Sequence, residues 1–224
     1  MKPPKLFRWI RRRIRGKEPS GPTWHRAAVG GHWDTIGRLQ FAFLESRGLQ
    51  PHHYLLDVGC GSLRGGLHFV RYLDAGHYFG IDHEQALLDA GREVELAGAH
   101  LEHKDPQLFR SDAFDLSAVP PDRTFEFALA QSLFTHLTPE MIDLCIPKVM
   151  ARLAPGGTFY ATFQESEDGT IDPGKPHRWR DQERRGTHYP FLMFENLARK
   201  AQISVEYIGD WHHPRQQMML AFRA

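Results

Sequence analysis

Leu55-Leu56-Asp57-Val58-Gly59-Cys60-Gly61-Ser62 is the stretch on which the reading of this chain turns. A short apolar run that meets a carboxylate and then alternates glycines has the pattern of a buried strand breaking into a tight turn before a helix. Residues without a Cβ tolerate positive φ and let backbone N–H groups come close to a ligand. Gly59 and Gly61 are therefore expected to line the mouth of a crevice that admits a nucleoside-bearing cofactor. Two rival motifs fail on spacing. The dinucleotide fingerprint Gly-x-Gly-x-x-Gly would need glycine where Arg64 stands, with glycines only at Gly65 and Gly66. A phosphate-cradling loop ends in Gly-Lys-Ser/Thr, and none follows.

Outward from that turn, strand and helix patterns alternate. Strands are expected near 54–58, 78–82, 107–111, 125–130 and 157–163. Helices are expected over 34–47 (Ile36, Leu39 and Phe43 at helical spacing), over 64–73, and around Ala86, Leu87, Ala90, Val94 and Ala97. Thr138 before Pro139 and Glu140 starts a further helix, which Pro155-Gly156-Gly157 ends. Residues 164–188 are polar and rich in Gly, Pro and Arg, and are expected to leave the sheet edge as a long excursion. A helix near 190–201 and two strands, 203–208 and 217–223, close the chain, the short connection between them suggesting a hairpin. The expected fold is α/β: a doubly wound, mostly parallel seven-stranded sheet with an antiparallel last strand, preceded by a basic N-terminal tail.

In open α/β sheets ligands bind beyond the carboxyl ends of the strands, so the strand ends carry the functional reading. The first delivers Asp57 and the glycine turn. The second ends in Asp82, 21 residues beyond Gly61, where an acid can bridge two ribose hydroxyls. The third delivers Ser111-Asp112 and the fourth Ala130-Gln131-Ser132. An Asp at a strand end can equally be only a cap for the next helix.

From roughly residue 54 to 164, the order of these motifs resembles that of the class I S-adenosylmethionine-dependent methyltransferases. The resemblance includes Leu153-Ala154-Pro155-Gly156-Gly157 before a strand, and departs from the family where Leu63 takes the place of the motif's third glycine. It implies S-adenosylmethionine as cofactor, with Asp57, Gly59 and Gly61 at its amino-acid part, Asp82 at its ribose, and Cys60 and His83 also among the cofactor-binding residues. It further implies Asp112 at its base and Gln131 on the floor beside the transferred methyl. An antiparallel last strand is also a mark of that family's sheet.

The connection Gly209-Asp210-Trp211-His212-His213-Pro214-Arg215-Gln216 is expected at the same edge. Trp211 and Arg215 would then look into an acceptor pocket, Arg215 offering a planar fork to a carboxylate or phosphate. An oxygen acceptor gains from a base near neutral pKa, which points to His136 after the fourth strand, His188 after the excursion and His213 on the hairpin. Trp33, in Ala27-Ala28-Val29-Gly30-Gly31-His32-Trp33-Asp34, reads either as part of a lid over the cofactor or as core packing. His52-His53 and His212-His213 do not suggest metal, because adjacent residues in a strand point opposite ways.

At 224 residues and 41% apolar composition, the chain has enough material for one well-buried domain, expected over 23–224 after a tail and linker at 1–22. Two cysteines make no disulfide framework, which suits a reducing cytoplasm, and no run is long and apolar enough to span a membrane. Eight of the 28 Lys/Arg and one of the 27 Asp/Glu fall in residues 1–18, leaving 20 bases against 26 acids in the rest. In the tail Leu6, Phe7, Ile10 and Ile14 share a helical side with Trp9 beside them, opposite Lys5, Arg8, Arg11, Arg12 and Arg15. That suits a helix lying on anionic lipid; an inert basic arm and a nucleic-acid arm are the alternatives. The mildly acidic body argues against a broad phosphate-tracking surface. The expected activity is methyl transfer to an oxygen or nitrogen of a small-molecule or glycan acceptor. A nicotinamide-dependent oxidoreductase and a non-catalytic cofactor-binding scaffold are the rival readings.

Overall fold

The computed structural model describes residues 21, 23–174, 177–179, 182–184 and 186–224. The amphipathic reading of residues 5–15 lies outside them. Two helices, α1 (Trp24–Ala28) and α2 (Trp33–Ser46), precede β1 (Leu55–Val58). There follow α3 (Gly66–Tyr72), β2 (Tyr78–Asp82), α4 (Gln85–Ala90), β3 (Gln107–Arg110), β4 (Phe125–Ala130), α5 (Pro139–Met150) and β5 (Leu153–Glu165). After β5 come β6 (His177–Trp179), β7 (Gln182–Arg184), β8 (His188–Tyr189), α6 (Phe191–Lys200), β9 (Ser204–Asp210) and β10 (Met218–Arg223).

The main sheet runs β3-β2-β1-β4-β5-β10-β9, with β8 added beside β5. The β1–β2, β1–β4, β2–β3 and β4–β5 pairs are parallel, while β10 is antiparallel to both neighbours. Every residue of β1 and β2 is buried, as expected of strands covered on both faces. Leu56, Val58, Phe79, Ile81 and Phe159 pack on one side with Ile142 and Cys145 of α5 and Phe194 of α6. Leu55, Tyr78, Phe127, Leu129 and Tyr160 pack on the other with Leu44 of α2 and Phe69 of α3.

The structure differs from the sequence expectation in three places. Pro155-Gly156-Gly157 does not end a helix: α5 stops at Met150, and β5 already pairs at Leu153 with Phe125 before a register shift. The helix after β2 gives way to a π turn over Gly91–Leu96, which carries Glu95 inward. The excursion after β5 is itself ordered into strands, β6 pairing antiparallel with β7 and β8 rejoining β5.

Candidate active site

β1 stops because the backbone beyond it turns left-handed. Gly59 has φ 76° and Gly61 φ 56°, and a Cβ on Gly61 would lie 2.7 Å from Val29 Cγ1. Leu63 also sits at φ 72°, so the turn keeps glycine geometry at the family's third position while holding a fully buried leucine there. That conformation costs a residue with a Cβ about 1–2 kcal/mol. Gly66 and Gly91 leave the space the leucine fills, since a Cβ on either would come within 3.0 Å of its side chain.

The turn opens on a cavity of about 460 Å³ at the carboxyl edge of the sheet. Near β2 and β3 it is lined by Asp82, His83, Leu87, Ser111, Ala113 and Phe114. Asp82 is buried and anchors the glycine turn, accepting from Gly61 N to Oδ2 and from Glu84 N to Oδ1, each at 2.9 Å. Burial raises its pKa, opposed by nearby His83 and those N–H groups. Asp57 accepts from the Tyr78 hydroxyl at 2.7 Å, and burial pushes it up to about 7 despite that bond. The buried Cys60 thiol is also raised far from its usual range by burial, next by Asp57.

On the opposite wall, toward β4, β5 and β10, side chains form a connected polar network. Arg64 donates from Nη1 to the Val29 and Gly31 carbonyls, at 3.0 Å each, and from Nη2 to Gln131 Oε1 at 2.5 Å. Gln131 Nε2 donates to Ser132 Oγ at 2.5 Å and lies 3.1 Å from His213 Nε2. Gln217 Oε1 accepts from Ser132 Oγ and Thr162 Oγ1, both at 2.9 Å. Arg215 donates to the Gly30 carbonyl. His213 is driven down to about 4, by burial first and then by Arg64 and Arg215, so it is neutral at ordinary pH. Burial likewise lowers Arg64, to about 10.

A short lid covers the glycine turn. Its helix α1 is held by Glu95 on the π turn, which accepts from Arg26 Nε at 2.6 Å and Nη2 at 2.8 Å and lies 2.6 Å from His25 Nε2. Burial alone would raise the Glu95 pKa; the bonds from Arg26 and His25 hold it below the usual range.

The structure therefore gathers Asp57, Gly59, Cys60, Gly61, Asp82, His83, Gln131, His136 and Arg215 around one cavity. His213 touches it through Gln131, and Trp211 stands behind, stacked on His213 at 5.3 Å and donating from Nε1 to Gln217 O. Besides His213 and Trp211, three further expected site residues lie off the lining. Asp112 is exposed and pairs with Arg110 at 3.0 Å. Trp33 lies under the Arg26 guanidinium, 4.8 Å from its ring centre. His188 exchanges backbone hydrogen bonds with Asp172. Sequence reasoning passed over Arg64 as a functional residue. The signal available was a lone charge inside a run of glycines and leucines, where a solvated side chain has no room.

Residues 55–157 match the model of a methyltransferase domain. Together with the strand order, that match gives the site its family likeness. Residues 55–157 are similar to a methyltransferase domain, on a sheet with the methyltransferase fold. A ribosomal protein L11 methyltransferase of Desulforapulum autotrophicum is 32% identical over 113 residues, a match spanning 49% of this chain and only 32% of that relative. A complex described as DhpI-SAM-HEP superposes with a TM-score of 0.67 at 13% identity, covering 100% of both chains. A magnesium protoporphyrin IX methyltransferase from Synechocystis, solved with bound SAM, gives 0.63 at 13% identity over 99% of this chain and 92% of its own. At such identities the structural likeness speaks for the methyltransferase fold.

The residues present suit the family's cofactor. A carboxylate offers about four lone-pair positions, and the two backbone N–H bonds on Asp82 leave others for ribose hydroxyls. Gly59 and Gly61 line the cavity, and their lack of a Cβ lets the turn close against Leu133 and Val29, which a Cβ would meet at 3.1 Å and 2.7 Å respectively.

Proposed function

We propose that this methyltransferase moves a methyl group from S-adenosylmethionine to an oxygen or nitrogen of a small-molecule or glycan acceptor. The observation that carries the reading is the meeting, in one cavity, of a glycine turn and strand-end carboxylates with a separate polar wall of Arg64, Gln131, Arg215 and Gln217. S-adenosylmethionine, when bound, supplies a methyl already activated on a sulfonium, so the protein's task is positioning. A nucleophile held in line at roughly 3–3.5 Å gains most of the available rate.

Asp82 takes the ribose, and the apolar slot of Leu87, Ala113 and Phe114 takes the base. Asp57, kept partly protonated by burial, becomes ionised beside the cationic amino group. Gln131 forms the floor, its orientation fixed by Arg64 on one side and Ser132 on the other. His136, exposed on the cavity wall, accepts the acceptor's proton. His213, held neutral, orients Gln131 instead. The basic stretch 5–15 is assigned to anionic lipid, on the strength of its charge and apolar pattern alone. Equal co-sedimentation of intact and tail-deleted chain with anionic liposomes would end that assignment.

Calorimetry with S-adenosylhomocysteine and, separately, with NAD tests the main reading. Saturable heat with the first and none with the second is expected. Binding of NAD, or no response to S-adenosylhomocysteine from folded protein, overturns it.

A further inference from the structure

Arg64 and Arg215 both line the cavity, and among the described residues neither has a carboxylate within ion-pair distance. Arg64, buried with no paired carboxylate, loses hydration that a partner would offset, and Arg215 at the mouth adds a second positive charge to the same space. The cavity's own acids are committed elsewhere. Asp57 is bound by the Tyr78 hydroxyl, and Asp82 by Gly61 N and Glu84 N. What the arginines do touch is backbone: the Val29 and Gly31 carbonyls receive Arg64, and the Gly30 carbonyl between them receives Arg215.

Arg64 is the more telling of the two. It is 6% exposed, yet its Nε–H finds no acceptor among the described residues. Buried donors of this kind are rare and call for an explanation. Arg215 is exposed at the mouth and lies flat against the lid turn because Gly30 carries no side chain; a Cβ there would stand 3.0 Å from its Nη1. Arg64 is also fixed to Gln131, the residue assigned to the methyl-transfer floor, and His213 feels both guanidiniums and stays neutral. The unbalanced positive charge thus sits on the acceptor wall, across the cavity from Asp82.

From this arrangement we infer that the acceptor is an acid, whose carboxylate or phosphate docks on Arg215, backed by Arg64, under the turn of residues 29–31. The inference rests on the methyltransferase reading and adds the acceptor's chemical class. Because the same guanidiniums hold three successive lid carbonyls, an oxyanion seated between them also ties the lid turn to the acceptor. Planar guanidiniums suit the two oxygens of a carboxylate or phosphate.

The cofactor's own carboxylate is the competing source of negative charge, so the test is done with that position filled. Full-length protein is saturated with S-adenosylhomocysteine, and inorganic phosphate and acetate are titrated in while the melting temperature and calorimetric heat are followed. Saturable binding of either anion to the S-adenosylhomocysteine complex is expected. It should weaken at least ten-fold in Arg215→Gln and stay unchanged in Arg223→Gln, whose guanidinium pairs on the surface with Glu206. Anion binding only to cofactor-free protein, in competition with S-adenosylhomocysteine, would assign the arginines to the cofactor's carboxylate and overturn the proposal. So would equal anion affinity in wild type and Arg215→Gln. Failure of S-adenosylhomocysteine to bind is a different result, which strikes the methyltransferase reading itself.

Discussion

The cavity wall built by β1 and β2 consists of the glycine turn, whose N–H groups donate to Ile81 O and Asp82, and two strand-end carboxylates anchored to local backbone or to Tyr78. The facing wall, toward β4, β5 and the β9–β10 connection, is made of side chains: Arg64, Gln131, Ser132, Arg215 and Gln217, backed by Thr162 and His213 and spread from residue 64 to residue 217. The first wall follows from how a parallel strand ends, and little in it can rearrange without unfolding the sheet edge. The second is a hydrogen-bonded network whose members depend on one another, and such networks are costly when half-satisfied. A shared cofactor matches the first kind of wall, and a particular acceptor the second.

The backbone-built wall should break hardest at Leu63. Its side chain is fully buried while its φ is 72°, so Leu63→Ala keeps the conformational penalty and loses the packing. Urea unfolding should show a loss of about 2–5 kcal/mol. Leu63→Gly loses the same packing but relieves the left-handed strain, so it should be the more stable of the two by about 1 kcal/mol. The reverse order would mean that the turn is not strained at this position.

A smaller effect, on binding rather than folding, is expected at Asp82. Asp82→Ala removes the acceptor of the buried Gly61 N–H together with the proposed ribose contact. S-adenosylhomocysteine affinity measured by calorimetry should fall by about 1–3 kcal/mol. An unchanged affinity in folded variant protein would place the ribose elsewhere.

The contrast between the walls also explains what the chain disclosed before its fold was known. Asp57, Gly59, Gly61 and Asp82 are legible because local backbone physics demands those residue types at that spacing, whatever the rest of the chain does. The antiparallel β10 was legible for a similar reason, since a short connection between two strands permits little else. Arg64 was not. Its role depends on carbonyls at 29 and 31, on Gln131 and on Arg215, and no periodicity in the sequence links those positions. The π turn was equally hidden, because Glu95 reads as one more polar residue of a helix until His25 and Arg26 are brought to it. Pro155-Gly156-Gly157 has the composition of a helix stop, yet tertiary pairing with β4 already begins the strand at Leu153.

The polar wall can be probed by acid. His213 has a folded pKa of about 4 against an ordinary 6.5, so its neutral form is the one the fold favours. The stability this preference provides is present above the unfolded pKa and is lost as pH falls through about 6.5 toward 4. Wild-type unfolding free energy should decline across that window, and His213→Gln should flatten the decline. The Asp82 wall opposes this trend in part. A buried acid whose pKa is raised contributes most at low pH and loses that contribution as pH climbs through its folded value, which for Asp57 is about 7. A pH profile identical in wild type and His213→Gln would mean that the imidazole is as solvated as a free one and that the network is open.

The smallest effect belongs to Asp112, and it sharpens the boundary of the first wall. The family resemblance puts an acid here on the cofactor's base, whereas the side chain is exposed and bound to Arg110 at 3.0 Å, while Ser111 and Ala113 on either side line the cavity. The backbone at Ala113 and Phe114 is left-handed, φ 55° and 58°, and this turn carries the chain over the slot. If neighbouring backbone and the apolar faces of Leu87 and Phe114 hold the base, Asp112→Asn should leave S-adenosylhomocysteine affinity within two-fold of wild type. The lost surface ion pair itself is worth only about 0–1 kcal/mol of stability. A loss of five-fold or more, read by the same calorimetry, would show that the carboxylate swings from Arg110 onto the base when ligand enters. The cofactor wall would then share the side-chain dependence of the acceptor wall at this one point.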